Sequence, residues 1–249
     1  MEKTVQSFYF FFFSLFLLPI EISAQKNSAE ALLKWRDSLV SHSLNSWSIA
    51  NESSTSRPCN WTGIQCDDAG SFVEINLPTS GLDGTLDEFD FSAFPNLTSL
   101  NLDMNNLNGS LPVRIGNLSK LGHLDLGSNN FANAIPAEVG SLSELRFLRL
   151  FNNSFTGAIP YQLTNLQKIE GIIPVQIAAN LTNLRFLNLT QNSFGGKIPV
   201  EISRLQKLEE LRIGFNMLTG SIPDELASCP TFKSLNYITI LFKGQYRLQ

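Results

Sequence analysis

The chain has 249 residues, 43% hydrophobic and 16% charged, with a formal net charge of −4. It is long enough for one sizeable domain, too apolar and too weakly charged to be disordered, and has no basic excess to recruit nucleic acid or an anionic membrane surface. Two His and three Cys leave little material for a metal site or a His-dependent active site, whereas 37 Leu and 23 Asn, more Asn than Lys and Arg together, point to repeats.

Residues 1–24 read as a secretory signal peptide, with Lys3 in a short polar start, an almost unbroken apolar run over Ser7–Ile20, and Ile22-Ser23-Ala24 ahead of the cleavage point. The alternative is an N-terminal membrane anchor, but a 14-residue run falls short of the ~20 residues a span needs. No later segment approaches that length, so the chain as given is expected to be secreted and unanchored. The secretory route permits disulfides: Cys59 and Cys66 can bridge, which leaves Cys229 as the odd thiol. Eight Asn-x-Ser/Thr sequons, at Asn51, Asn60, Asn96, Asn108, Asn117, Asn152, Asn180 and Asn188, agree with a glycoprotein.

From Phe94 a 24-residue period aligns Phe94–Asn117, Leu118–Ser141, Leu142–Asn165, Leu181–Arg204 and Leu205–Ser228 on L-x-x-L-x-x-L-x-L-x-x-N-x-L-x-G-x-I-P-x-x-L. An imperfect copy runs through Phe72–Phe91, with Ser80 where Asn is expected. The L-x-L segment is a short strand whose Leu point inward and whose x positions face out. Stacked coils then make a solenoid with a parallel sheet along one edge. An Asn at each corner (Asn105, Asn129, Asn153, Asn192, Asn216) can satisfy buried backbone groups and forms a ladder from coil to coil. Gly109, Gly157, Gly196 and Gly220 allow a tight bend, with Asn133 as the mild departure. Pro112, Pro136, Pro160, Pro174, Pro199 and Pro223 fix extended segments on the outer side.

The L-x-G-x-I-P segment resembles the plant type of leucine-rich repeat, and the chain is similar to the extracellular part of a plant leucine-rich-repeat receptor-like kinase. Residues 25–70 resemble that family's N-terminal cap, on Ala29-Glu30-Ala31-Leu32-Leu33-Lys34-Trp35, Leu44-Asn45-Ser46-Trp47 and Cys59-Asn60-Trp61-Thr62-Gly63-Ile64-Gln65-Cys66. The resemblance implies an α/β repeat fold: a right-handed leucine-rich-repeat solenoid with a parallel β-sheet on its concave face and a helical N-terminal cap, closed by a Cys59–Cys66 disulfide. The cap helix is expected over Ser28–Ser41, with Leu32, Leu33, Trp35, Leu39 and Val40 largely inward, and Trp61 in the core.

Repeats are expected over residues 71–228, with one irregularity. The steps between successive I-P or L-P pairs are 24, 24, 14, 25 and 24, so one coil is ten residues short. Residues 166–180 lack the strand and the ladder Asn. This segment is expected to bulge or distort, with the strands around Leu148–Leu150 and Leu187–Leu189 either pairing directly or losing register. Residues 229–249 begin a further coil at Cys229, Phe232, Leu235 and Tyr237, and then diverge.

Function is expected on the outward strand positions. Six strands at ~4.8 Å spacing give a surface roughly 25–30 Å long, room for an extended peptide. The ligand-binding candidates are Asn101, Asp103, His123, Asp125, Phe147, Arg149, Phe151, Phe186, Asn188 and Arg212. Exposed Phe beside Arg resembles interface hot-spot composition, with Arg149 or Arg212 receiving a carboxylate; the competing reading is that the Phe pack on one another or on adjacent coils. Asp103 and Asp125 read as equivalent slots on adjacent strands and, like His123, as solvated groups; Cys229 reads as a small core residue. Asn188 lies mid-strand, where a glycan would obstruct the face, so it is expected to be used less than Asn117 or Asn152. No phosphate loop or catalytic constellation is present, since Gly195-Gly196-Lys197 lacks the loop spacing and Arg36-Asp37 falls in the cap helix; no enzyme activity, metal or cofactor is expected. The resemblance implies a recognition module for a peptide ligand or a partner leucine-rich-repeat ectodomain, in the extracellular or cell-wall space, or at the plasma membrane through a span not in this sequence. The alternative is a stand-alone secreted protein that inhibits a cell-wall-degrading enzyme.

Overall fold

The computed structural model describes residues 27–48, 58–160 and 181–237. The expected signal peptide, the sequons at Asn51 and Asn180, the proposed bulge at 166–180 and the divergent tail after Tyr237 lie outside them.

The repeat writes two sheets along the chain. The concave sheet holds β1 (Ile64–Cys66), β2 (Phe72–Asn76), β3 (Ser99–Asn101), β4 (His123–Asp125), β5 (Phe147–Arg149), β6 (Phe186–Asn188), β7 (Glu210–Arg212) and β8 (Ser234–Asn236), in that spatial order. β1 is antiparallel to β2, and every later pair is parallel. The strands are three to five residues long, and β3 to β7 each bury their central Leu, as the x-L-x pattern dictates. A second sheet runs beside it through Asp83–Gly84, Asn106–Ser110, Asn130–Asn133, Ser154–Gly157, Ser193–Lys197 and Met217–Thr219. On the outer side, short 3-10 helices such as Val113–Asn117, Ala137–Ser141 and Val200–Arg204 follow Pro112, Pro136 and Pro199, each in extended conformation. The sheet reaches two strands beyond the expected six, because β1 of the cap joins its first edge and Leu235 seats β8 against β7.

The corner Asn act as the spacing requires. Asn129 accepts from Leu107 N (3.0 Å) and donates to Leu102 O (2.9 Å) of the preceding coil and to Gly127 O (2.9 Å) of its own. Asn216 repeats this toward Phe194 N and Leu189 O. Buried backbone groups that water cannot reach are thereby satisfied, at one Asn per coil. The bend residues Gly109, Gly157, Gly196 and Gly220 have φ between +76° and +82°, and Asn133 reaches +64° in the same slot. A second left-handed position was not legible: Met104, Ser128, Asn152, Gln191 and Phe215, each immediately before a ladder Asn, have φ of +48° to +56°. Their side chains share no chemistry. The ladder imposes the conformation on whatever residue stands there.

The irregular coil does not interrupt the sheet. β5 and β6 pair directly in parallel register, Phe147 to Phe186, Leu148 to Leu187 and Arg149 to Asn188. The ladder crosses the same junction, with Asn192 accepting from Phe155 N (3.0 Å) and donating to Leu150 O (2.8 Å). So does the stack of Phe131, Phe155 and Phe194 in the core. The sheet, the ladder and the aromatic stack therefore run unbroken from β5 to β6.

The cap closes the N-terminal end. Its helix spans 27–38 and buries Ala29, Leu32 and Trp35, with Leu33 partly covered. Trp35 Nε1 donates to Thr85 O (2.9 Å), and Trp47 stacks on Trp61 at 5.5 Å. Cys59 and Cys66 form the disulfide. Val40 is a correction: it is 82% exposed. The helix stops before it, and its N–H is tied to Asp83 O, which turns the side chain outward. Cys229 is buried, with Sγ donating to Leu205 O (3.1 Å). No helix among the described residues is long and apolar enough to cross a membrane.

Candidate functional site

Strand register sorts the outward side chains into columns along the concave face. One runs Glu74, Ser99, His123, Phe147, Phe186, Glu210 and Ser234; the next runs Asn76, Asn101, Asp125, Arg149, Asn188, Arg212 and Asn236. A third, just past the strands, holds Asp103, Gly127, Phe151 and Thr190. Asp103 and Asp125 are thus not equivalent: Asn101 faces Asp125, and Asp103 lies one pleat further on.

A groove of about 440 Å³ opens on these columns, lined by Asp103, Asp125, Arg149, Phe151, Phe186, Leu187, Asn188, Thr190, Gln191, Glu210, Arg212 and Asn236. Asn101, His123 and Phe147 stand outside its lining. Thr190 and Glu210 follow from the strand pattern. Gln191 and Asn236 do not: Gln191 turns in through its left-handed backbone, and Asn236 belongs to the strand that extends the sheet.

The aromatic row that runs into the groove at Phe186 packs on itself. Phe147 and Phe186 stack in parallel at 4.8 Å, His123 meets Phe147 edge-on at 5.6 Å, and the Arg185 guanidinium lies 5.8 Å from the Phe186 ring centroid. All three rings remain half-buried rather than enclosed. His123 is therefore not a solvated imidazole; burial pushes it below its ordinary range, opposed by the charge of Asp125. Phe151 takes another path. A Cβ on Gly127 would lie 2.2 Å from Phe151 Cε1, so the absence of a side chain at Gly127 seats that ring across the face.

The charges are mostly paired. Asp125 is 4% exposed, accepts the Gly127 N–H (3.1 Å) and meets Arg149 Nη1 at 3.2 Å; the expectation of a solvated group fails because Arg149 and the strand end enclose it. Arg212 Nε binds Glu210 Oε1 at 2.5 Å. Beside the groove Glu209 bridges Lys233 and Arg185, which hold its carboxyl below the usual range. Asp103 is the carboxylate left over: its Oδ1 is buried without a hydrogen-bond partner, and burial first, then the charge of Asp125, push its pKa up. Among the described residues no group of three His, Cys, Asp or Glu is placed to hold a metal ion.

Residues 26–67 match the leucine rich repeat N-terminal domain, and residues 96–118, 144–166, 183–205 and 207–229 match the leucine rich repeat; together they cover more than half of the chain. The chain belongs to the leucine-rich-repeat family. It is similar to a probable leucine-rich repeat receptor-like protein kinase of Arabidopsis thaliana, 38% identical over 120 residues, which are 47% of this chain and 11% of that protein. The structure of PEPR1 with AtPEP1 superposes with a TM-score of 0.73 at 29% identity, covering 86% of this chain and 28% of that one. Arabidopsis HAESA in complex with the peptide hormone IDA and the co-receptor SERK1 gives 0.69 at 26% identity, over 85% of this chain and 33% of that one. The chain spans about a tenth of the length of the first curated relatives it matches. Those relatives are kinases, and the matched region is their leucine-rich-repeat part, not a catalytic domain.

Proposed function

We propose that this leucine-rich-repeat chain is the extracellular recognition part of a plant receptor-like kinase and that it binds an extended peptide, or a partner ectodomain, along the concave groove. The observation that supports this most is the groove at the β5–β7 stretch. Half-buried Phe151 and Phe186 lie there beside two guanidiniums, Arg149 and Arg212, each 45–50% exposed and held by one carboxylate. Half-covered aromatics give apolar contact area, and a guanidinium bound through one edge keeps further donors for a carboxylate or backbone carbonyls. PEPR1 is seen with AtPEP1, and HAESA with the peptide hormone IDA and the co-receptor SERK1, which fits the same use here. On this reading the chain works outside the cell, the sequons carry glycans, and the cytoplasmic chemistry belongs to a kinase domain.

The test is selection of peptides from a random library against the enzymatically deglycosylated chain, followed by titration of Phe186→Ala and Arg212→Ala. Neither residue holds a buried partner, whereas Arg149 does. Each variant is expected to weaken selected peptides by about tenfold or more, the level of a moderate interface hot spot. Selected peptides that bind both variants as tightly as the wild type would move the site off the groove.

A further inference from the structure

One sequon falls inside the groove. Asn188 is the last residue of β6, between Arg149 of β5 and Arg212 of β7 in the same column, and it lines the groove with both. Its Oδ1 accepts the Thr190 N–H (3.1 Å), whereas its Nδ2 has no hydrogen bond among the described residues. The third sequon residue, Thr190, has its Oγ1 buried with no partner. A buried hydroxyl without a partner opposes folding. Other coils place Asp103, Gly127, Phe151 and Gly214 at this slot, so the coil has no need of a hydroxyl there. In the unfolded nascent chain the same hydroxyl completes Asn188-Leu189-Thr190.

We infer that Asn188 carries an N-linked glycan that fills the groove between Arg149 and Arg212, so that the groove admits a ligand only in molecules lacking that glycan. The inference rests on the secretory, groove-binding reading above. In the transfer, Asn188 Nδ2 attacks the anomeric carbon of a lipid-diphosphate-linked oligosaccharide. The N–C bond forms, the C–O bond to the diphosphate breaks, the diphosphate leaves with the electron pair, and an amide proton is lost to base. Transfer to the nascent chain precedes strand pairing, so the position in β6 does not protect Asn188. After folding, the sugar stands between two guanidiniums that are two strand spacings apart, roughly 10 Å. Site occupancy thereby sets the fraction of molecules with an open groove.

The experiment uses the whole chain secreted from an N-glycosylating host. Peptide mapping reads occupancy at Asn117, Asn152 and Asn188, the first two exposed. Phenylglyoxal then labels arginines in the wild type, in wild type deglycosylated after folding, in Thr190→Val and in Thr190→Ser. Asn188 is expected to be occupied in a measurable fraction of molecules, below the fractions at Asn117 and Asn152. Arg149 and Arg212 are expected to react several-fold faster after deglycosylation and in Thr190→Val, with Thr190→Ser like the wild type and Arg114, on an outer 3-10 helix, unchanged throughout. Asn188 bare while Asn117 or Asn152 carries glycan overturns the inference alone. So does an occupied Asn188 whose removal leaves both arginines equally reactive. All three sites bare overturns the secretory reading on which it rests.

Discussion

Asp103 shows how one residue reports on the groove. Neighbouring acids in the groove have basic partners, Asp125 with Arg149 and Glu210 with Arg212; Asp103 has an oxygen buried without one. Its pKa is raised in the folded chain, so the folded state binds the proton more tightly than the unfolded state, and stability falls as pH rises from the ordinary carboxylate value through the raised one. Asp103→Asn removes that titration. The variant is expected to gain melting temperature relative to wild type as the pH goes from acid to neutral, with the difference smallest where Asp103 is protonated; thermal melts across that range check it. A constant difference would mean that the charge of Asp103 is not strained by its surroundings.

At the scale of elements, the corner ladder sets the order, and Asn192 is its most informative member because it ties β5 to β6 across the irregular coil. Asn192→Ala leaves Phe155 N buried without a partner and takes the shorter of two donors from Leu150 O, which keeps Asn153 Nδ2. A loss of roughly 1–3 kcal/mol is expected in denaturant unfolding, the cost of one stranded buried group. The ladder, the bends and the alternation of buried Leu were legible because they depend on residue type at fixed spacing. The left-handed residues before each ladder Asn were not, since Met104, Gln191 and Phe215 take that conformation from their neighbours. The groove was half legible. Strand alternation finds Arg149, Asn188 and Arg212, but the burial of Asp125 and the ring of Phe151 over Gly127 depend on contacts between coils. The pairing of β5 with β6 stayed open between two outcomes because sequence spacing measures chain length, whereas the sheet selects whichever strand offers matching groups.

For the molecule as a whole, the concave face is one sheet despite the short repeat. If residues 166–180 add nothing to that sheet, their deletion joins Asn165 to Leu181 and restores an uninterrupted 24-residue repeat. The deletion variant is expected to fold cooperatively with a melting temperature equal to or above that of the full chain, since fewer residues then separate two strands that pair, and bringing them together costs less closure entropy. Loss of the cooperative transition would mean that the deleted segment holds the halves together. The most direct measurement is native-state hydrogen exchange at the junction. Leu150 N–H bonds Asn188 O (2.9 Å) and Arg185 N–H bonds Arg146 O (2.8 Å), as Leu126 N–H bonds Arg149 O (2.9 Å) in the regular repeats. Leu150 and Arg185 are expected to be as protected as Leu126. Exchange of Leu150 and Arg185 at the rate of unpaired loop amides, with Leu126 protected, would contradict a continuous sheet and the groove built on it.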